Sequence, residues 1–252
     1  MTQISFGGAD KWVLIPGTLC TSHVFDPVLE ELGVERDACQ FITPDASNVR
    51  DYDARLREAV TGGEIVCGFS LGALILAHNL EALKAAKAVV LLASNPLPDP
   101  PGNGANREVV RDRVLAGGAR DWVSENWAAM SATGSEDLCA FVASMAEETA
   151  HLIPAQTELA ISRPGAEDQL AGTDLPLVFV TGSEDRLTPV DPIRKIAQNA
   201  RAAHLTVLDG LGHFALIEAP DRVAAAIRVG LSAALGKTGS YSAGLNSPGE
   251  DA

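Results

Sequence analysis

The stretch Gly-Phe-Ser-Leu-Gly at residues 68–72 decides how the rest of the chain is read. It follows the apolar run Glu-Ile-Val-Cys at 64–67 and precedes a helical pattern over 71–83. This order predicts a strand, a sharp turn and a helix, with Ser70 at the apex of the turn. Side chains beside such a turn would clash with the strand and the helix, so glycine fits there. The serine hydroxyl is then exposed at a helix N-terminus, where partial positive charge favours an anion.

Two later strand-like runs end in the other groups that a nucleophilic serine needs. A serine nucleophile requires a base, and the base requires an acid that orients it. The run 175–181 leads into Asp185, and the run 204–208 leads into His213. Both residues follow the end of a strand, where ligand sites lie in open α/β sheets. On the motif alone Ser70 could instead be a helix cap, and this context favours the nucleophile.

Three signatures together resemble the α/β-hydrolase superfamily over about residues 10 to 236. They are the turn around Ser70, the Gly-x-x-Asp-x-x-x-Pro stretch at Asp185 and the Gly-His pair at His213. The resemblance implies an α/β-hydrolase fold and a small-capped serine carboxylesterase-like member. It also implies that Ser70 is the nucleophile, His213 the base and Asp185 the acid. Glu184 is the rival acid, and the proline four residues after Asp185 favours Asp185.

The loop after the first strand departs slightly from the superfamily pattern, which usually has His-Gly there. Residues 12–20 read Trp-Val-Leu-Ile-Pro-Gly-Thr-Leu-Cys, so the glycine is present and the histidine is not. The resemblance assigns the oxyanion hole to the backbone N–H groups of Leu71 and Thr18, with Leu19 as the alternative to Thr18. Backbone donors do not depend on side-chain identity, so the missing histidine matters little for the hole.

Seven further side chains are candidates for substrate contact, because they fall near the oxyanion loop, in the predicted cap or beside His213. They are Leu19, Cys20, His23, Trp122, Trp127, Met130 and Phe214. The two tryptophans and the methionine could equally form the cap's own small core. A plain surface or core histidine is the alternative for His23. His78 lies eight residues after Ser70, within the following helix, and is expected to point elsewhere.

Strand-like and helical patterns alternate along the first half of the chain, which predicts a mostly parallel sheet with helices on both faces. The alternation stops at the proline-rich stretch 96–101 and resumes at Leu175. Between them the pattern is mainly helical, where the superfamily carries its helical cap. We therefore expect four segments: core 1–98, cap 99–172, core 173–236 and a flexible tail 237–252. The predicted strands are 12–15, 41–43, 64–67, 89–92, 175–181 and 204–208; the predicted helices of the core include 25–32, 51–61, 71–83 and 220–235.

Composition narrows the functional classes. The 252 residues carry a formal net charge of −14, which argues against nucleic acid and against anionic membranes as partners. No apolar stretch is long enough to span a membrane, and residues 1–11 lack the apolar core of a signal peptide, so we expect a cytoplasmic protein. The four cysteines and five histidines show no metal-binding spacing, so neither a metal nor a cofactor is expected. The oligomeric state stays open.

The cap has a net charge of −7, from five arginines and twelve acidic residues. A solvated helical surface is favoured over steering of a cationic substrate. The expected partner is a small-molecule ester, including thioesters and lactones, cleaved through an acyl-enzyme. C–C bond hydrolysis, perhydrolysis and lyase chemistry use the same triad. A slow receptor-like or non-catalytic binding module is the alternative of another class, and turnover of a generic p-nitrophenyl ester separates it from an enzyme.

Overall fold

The computed structural model describes residues 10–188 and 190–242, and for residues 237–242 it describes the backbone alone. The proline of the predicted acid motif, Pro189, lies outside the described residues. So do residues 1–9 and 243–252, and the predicted flexible tail therefore stays a prediction over that last stretch.

The centre of the molecule is one sheet in which six strands run parallel, in the order β2-β1-β3-β4-β5-β6. The strands are β1 (Trp12–Ile15), β2 (Cys39–Phe41), β3 (Ile65–Phe69), β4 (Ala88–Leu92), β5 (Leu177–Gly182) and β6 (Ala203–Leu208). The prediction of a mostly parallel sheet is confirmed. The six strand-like runs of the sequence are these six strands, with ends shifted by no more than two residues.

Helices cover both faces of the sheet. Among the described residues the α-helices are α1 (Asp26–Leu32), α2 (Asp53–Ala59), α3 (Leu71–Ala77), α4 (Asn103–Arg113), α5 (Ala119–Met130), α6 (Glu136–Thr149), α7 (Ile153–Ser162), α8 (Glu167–Gly172), α9 (Val190–Asn199), α10 (Ala215–Glu218) and α11 (Pro220–Ser242). Single 3-10 turns lie at Ser22–Phe25, Arg36–Ala38, Val49–Tyr52, Leu80–Leu83 and Ala150–Leu152, and a π-helical turn at Val114–Gly118. Helix α11 continues seven residues beyond the end at 235 that its pattern predicts.

The central strands are buried on both faces, because they read as continuous branched apolar runs rather than as an alternation of apolar and polar residues. Successive side chains point to opposite faces and so divide the core in two. Leu14 and Val90 pack with α1 and α11 on one face. Ile15 and Leu91 pack with α2, α3 and α9 on the other.

Five helices, α4 to α8, lie between β4 and β5. We refer to residues 99–172 as the cap segment. Its two ends are tied together, because the Ala166 N–H donates to the Pro96 carbonyl at 2.8 Å and the Arg163 Nε–H donates to the Leu97 carbonyl at 3.0 Å. Helices α4 to α7 therefore leave and return at one place beyond the carboxyl end of β4, and α8 then leads back to the amino end of β5.

The turn between β3 and α3 brings backbones unusually close together. A Cβ atom on Gly72 would lie 2.0 Å from the carbonyl oxygen of Ile15, and one on Gly68 would lie 2.5 Å from the backbone nitrogen of Ala73. Neither contact is possible for a side chain, so both positions require glycine. Between them Ser70 has φ +51°, a left-handed value that costs a non-glycine residue free energy.

Replacing Gly72 with alanine should therefore lower the free energy of unfolding by about 2 kcal/mol or more, because two backbones would have to separate to admit the methyl group. Urea denaturation followed by circular dichroism measures this change. Gly236→Ala is the matched control: a Cβ there meets no atom within 4 Å. In a helix this substitution should stabilise by about 0.5–1 kcal/mol. Equal effects of the two substitutions would contradict the close approach at Gly72.

Candidate active site

Ser70, Asp185 and His213 meet at the carboxyl edge of the sheet, each beyond the end of a different strand. The Ser70 Oγ lies 3.0 Å from His213 Nε2. The other ring nitrogen, His213 Nδ1, lies 2.9 Å from Asp185 Oδ2. The imidazole can therefore donate from Nδ1 to the carboxylate while it accepts from the serine hydroxyl at Nε2. This is the hydrogen-bonded order of nucleophile, base and acid that acyl transfer requires.

Asp185 is held by its own loop. Its side chain has no exposed surface. The Leu187 and Thr188 N–H groups each donate to Oδ1 at 2.9 Å, and the Thr188 hydroxyl donates to Oδ2. Burial alone would raise the pKa of this carboxyl, but the charge and hydrogen bond of His213 and the bonds from Thr188 outweigh it, so the pKa is lowered. The carboxylate therefore stays ionised and fixed in direction.

The rival acid, Glu184, is exposed, and its backbone N–H donates to the Leu211 carbonyl. Among the described residues its side chain makes no hydrogen bond to the imidazole. The geometry therefore favours Asp185 as the partner of His213.

His213 is positioned by the cap segment as well as by its strand. Its backbone N–H donates to the carbonyl of Met130, the last residue of α5, at 2.9 Å. Its ring packs against Phe69 and Phe214, at centroid distances of 5.2 and 5.6 Å. A Cβ on Gly212 would lie 2.8 Å from the Met130 oxygen, so glycine allows this approach. The Gly-His pair thus allows a backbone hydrogen bond to the cap segment. The sequence alone did not predict this bond.

Two backbone N–H groups near Ser70 have no acceptor among the described residues. They belong to Thr18, in the loop after β1, and Leu71, at the start of α3. Both residues line the same cavity as Ser70. The loop lies directly on the serine, since a Cβ on Gly17 would be 3.2 Å from the Ser70 Cβ. Backbone donors beside a serine hydroxyl are a kind of group that can bind an oxyanion.

Leu19, the alternative donor, has its N–H occupied by a residue that sequence reasoning missed. The Gln156 Oε1 accepts from the Leu19 N–H at 3.1 Å, and the Gln156 Nε2 donates to the Pro44 carbonyl at 3.1 Å. Gln156 lies on α7 of the cap segment and is 1% exposed. Leu19 itself has φ +56°, a strained value that needs support from its surroundings. The sequence does not single out Gln156, because Thr157 and Glu158 beside it on the same helix are also polar.

A cavity of about 530 Å³ lies over Ser70, between the sheet edge and the cap segment. This volume is typical of small-molecule sites. Four of the seven predicted contact residues line it: Leu19, Trp122, Met130 and Phe214.

The other three, Cys20, His23 and Trp127, do not line the cavity, which argues against the predicted substrate contact. The Cys20 thiol is buried against the Thr18 carbonyl, and burial raises its pKa to about 12, so it stays a neutral thiol. The His23 ring pairs with Asp26 at 2.7 Å on the exposed surface. Position in a loop does not determine which way a side chain points.

Trp127 is buried behind Phe214, with ring centroids 5.8 Å apart, so it supports the cavity wall from outside. His78 points away from Ser70, as expected, and its ring nitrogens lie 2.8 Å from the Leu74 and Pro164 carbonyl oxygens.

Within residues 10–188 and 190–242 no group of three or more His, Cys, Asp and Glu side chains is arranged to hold a metal ion. No helix in the same part of the chain combines the length and apolar character needed to cross a membrane.

Comparison with known proteins gives a family match and many matches of fold. The sequence model described as "Alpha/beta hydrolase family" matches residues 12–226. Among solved structures, a thermophilic esterase from Thermogutta terrifontis (malate bound) is similar with a TM-score of 0.74 and 19% identity, covering 90% of this chain and 91% of that one. A search of curated proteins finds no match.

Two further structures have the same fold. MenH from S. aureus is similar with a TM-score of 0.72 and 15% identity, covering 89% of this chain and 94% of that one. A bromoperoxidase from Bacillus anthracis is similar with a TM-score of 0.72 and 13% identity, covering 90% and 93%. At these identities the likeness concerns the fold, and it confirms the expected α/β-hydrolase architecture.

The lowered pKa of Asp185 predicts how stability depends on pH. A carboxyl whose folded-state pKa is depressed adds stability above its unfolded value, about 3.9, and this is lost as pH falls through the folded pKa. The free energy of unfolding should therefore fall between pH 5 and pH 3, and it should fall less steeply in Asp185→Asn. Urea denaturation at several pH values measures the slope. Glu184→Gln, which removes the exposed neighbouring carboxylate, should change this slope less than Asp185→Asn does. A larger change in Glu184→Gln than in Asp185→Asn would contradict the choice of Asp185 as the carboxylate that binds His213.

Proposed function

The chain belongs to the alpha/beta hydrolase family, and we propose that it is a serine hydrolase that cleaves a carboxylic ester, thioester or lactone of small to medium acyl size. The observation that carries the proposal is the continuous hydrogen-bonded chain from Ser70 through His213 to Asp185, with distances of 3.0 and 2.9 Å. This chain opens onto a cavity of about 530 Å³. The proposed partner is a small-molecule ester.

Acylation would begin when the Ser70 Oγ attacks the acyl carbon and its proton moves to His213 Nε2. The carbonyl oxygen becomes an oxyanion, which the N–H groups of Thr18 and Leu71 would bind. Losing one such donor typically costs about 3 kcal/mol of transition-state stabilisation. Collapse of the tetrahedral intermediate breaks the bond to the alcohol oxygen, which takes the proton back from Nε2 as it leaves.

Deacylation repeats these steps with water. The base takes a proton from water, the hydroxide oxygen attacks the acyl carbon, and the Ser70 oxygen leaves with that proton. In both halves Asp185 keeps the imidazole in the tautomer that has Nε2 free and stabilises the imidazolium that forms. The cap segment covers the cavity, and the Met130 carbonyl holds the His213 backbone in place, so its contribution includes positioning the base.

Ester hydrolysis is proposed first because it needs only the groups present at the site, together with water. The same triad supports C–C bond hydrolysis, perhydrolysis and lyase chemistry, each of which makes a further demand on the substrate or co-substrate. A receptor-like module is less consistent with the site, because all three triad side chains are present and mutually hydrogen bonded.

A fluorophosphonate probe should label Ser70 covalently, and Ser70→Ala should abolish both labelling and p-nitrophenyl ester turnover. Ser232→Ala, on the exposed surface of α11, is the control and should match the unmodified protein.

Asp185→Asn should lower kcat by several orders of magnitude, since the imidazole loses its orienting acid, whereas Glu184→Gln should leave kcat within about twofold of the unmodified protein. Undiminished turnover in Ser70→Ala would end the serine-hydrolase proposal.

Gln156 is expected to act as a positioning residue, because it fixes the loop that carries the Thr18 N–H. Gln156→Leu keeps the side-chain volume but removes both hydrogen bonds, so kcat should fall about tenfold or more while KM changes little. Affinity for a trifluoromethyl ketone, whose adduct with Ser70 carries an oxyanion, should fall in parallel.

Gln169→Leu, exposed on α8, is the matched control for this substitution and should change neither quantity. A Gln156→Leu variant with lowered stability but unchanged kcat and ketone affinity would show that Gln156 supports packing alone.

A further inference from the structure

The cavity over Ser70 carries positive charge on its walls, although the whole chain has a net charge of −14. Arg107, Arg163 and Arg186 are among the described residues that line it, and no aspartate or glutamate is. A wall of this kind is electrostatically complementary to an anion.

Arg107 and Arg163 share one carboxylate. Arg107 binds Asp99 through two parallel hydrogen bonds, from Nε at 2.9 Å and from Nη2 at 2.7 Å. Arg163 Nη1 donates to the same carboxylate at 3.1 Å. The Asp99 side chain is 4% exposed. Burial raises the pKa of this carboxyl, but Arg107, Asn103 and Arg163 together lower it further, so Asp99 stays ionised. Two positive charges against one negative leave the cluster with a net charge of +1.

The two arginines differ in how many of their N–H donors are already bound within the protein. Arg163 is 3% exposed on its side chain, and its Nε and Nη1 atoms are held by the Leu97 and Ala160 carbonyls as well as by Asp99. It is a fixed part of the protein. Arg107 is 34% exposed on its side chain, and its Nη1 group has no acceptor among the described residues. Arg107 is therefore the member of the cluster that can bind a ligand.

Neighbouring groups on the cavity wall add donors without adding negative charge. Asn106, one residue before Arg107 on α4, lines the cavity, and its side chain has no hydrogen bond within the described part of the chain. Arg186 lines it from the loop after β5 and has no ion pair among the same residues. By contrast, the cap segment's outward-facing arginines are paired: Arg111 with Asp112, and Arg113 with Glu125. Within the cap segment, the positive charge left over after ion pairing thus lies at the cavity.

We propose that this wall binds a free carboxylate of the substrate, so that the substrate class is an ester that also carries a carboxylate, such as a half-ester of a dicarboxylic acid. A guanidinium presents two parallel N–H donors that match the two oxygens of a carboxylate. A single carboxylate also costs less to transfer from water into this partly apolar cavity than a doubly charged phosphate group would. The substrate class rests on the proposed function, whereas binding of the carboxylate does not.

The kinetic test compares esters that differ by one charge. Mono-4-nitrophenyl glutarate carries the carboxylate on the acyl side, and 4-nitrophenyl pentanoate has a methyl group in its place. A second pair, 4-acetoxybenzoate and 4-methylphenyl acetate, places the charge on the leaving group. The ratio of kcat/KM for the charged ester to that for the neutral ester should fall at least about tenfold in Arg107→Gln for one of the two pairs. The kcat/KM for the neutral ester should change by less than about threefold in the same variant.

Two further variants guard against a folding defect. Asn106→Asp adds a negative charge to the wall without removing any contact, and it should lower the same ratio. Arg111→Gln, on the same helix but paired at the surface, should leave the ratio unchanged. An unchanged ratio in both Arg107→Gln and Asn106→Asp, for both ester pairs, would overturn the proposal.

Calorimetric titration of the Ser70→Ala protein with glutarate tests the site without turnover. Binding that weakens at least about tenfold in Arg107→Gln is expected. If no ester is hydrolysed but glutarate binds in this way, the proposed function fails and the carboxylate site stands. Active hydrolysis of neutral esters with no glutarate binding would overturn the site alone. Tighter binding of inorganic phosphate than of glutarate would overturn the choice of a carboxylate.

Discussion

The close approach of two backbones at the start of α3 is the constraint on which the site depends. Gly72 lies so near the end of β1 that a Cβ would be 2.0 Å from the Ile15 oxygen. This contact sets the loop after β1 against the turn that carries Ser70. The strained backbone of Ser70 is held by hydrogen bonds on both sides, from its N–H to the Leu92 carbonyl and from the Leu74 N–H to its own carbonyl. The strained conformation persists because these bonds and the packing of the neighbouring strands hold the backbone in place. The Ser70 hydroxyl and the N–H groups of Thr18 and Leu71 thus lie at the same cavity through one packing arrangement.

The cap segment completes this arrangement rather than merely covering it. Its helix α5 ends in the carbonyl that accepts from the His213 N–H, and its helix α7 carries the amide that binds the Leu19 N–H. One contact positions His213, and the other positions the loop after β1. A movement of the cap segment large enough to break both contacts would release His213 and the loop after β1 together.

Local patterns were enough to predict the sheet and the three residues of the hydrogen-bonded chain, because glycine spacing and apolar runs reflect short-range geometry. Gln156 could not be found in this way, since its partner Leu19 lies 137 residues away and a glutamine on a helix is unremarkable by itself. Cys20 and His23 were expected at the cavity from their place in a loop, and the loop turns their side chains elsewhere. Sequence proximity identifies which loop meets the site, whereas tertiary packing decides which side chain does.

The charge of the cap segment is a second property whose placement the sequence alone does not predict. Its net charge of −7 describes an acidic surface, and composition alone favours solvation as the explanation. The fold separates this charge: outward-facing arginines such as Arg113 and Arg120 pair with glutamates, while Arg107 turns inward. Exposed charges are screened beyond about 8 Å at physiological ionic strength, whereas groups in a partly enclosed cavity are screened much less. The charge on the cavity wall therefore governs a bound ligand more than the net charge of the chain does. An acidic protein can in this way present a cationic site.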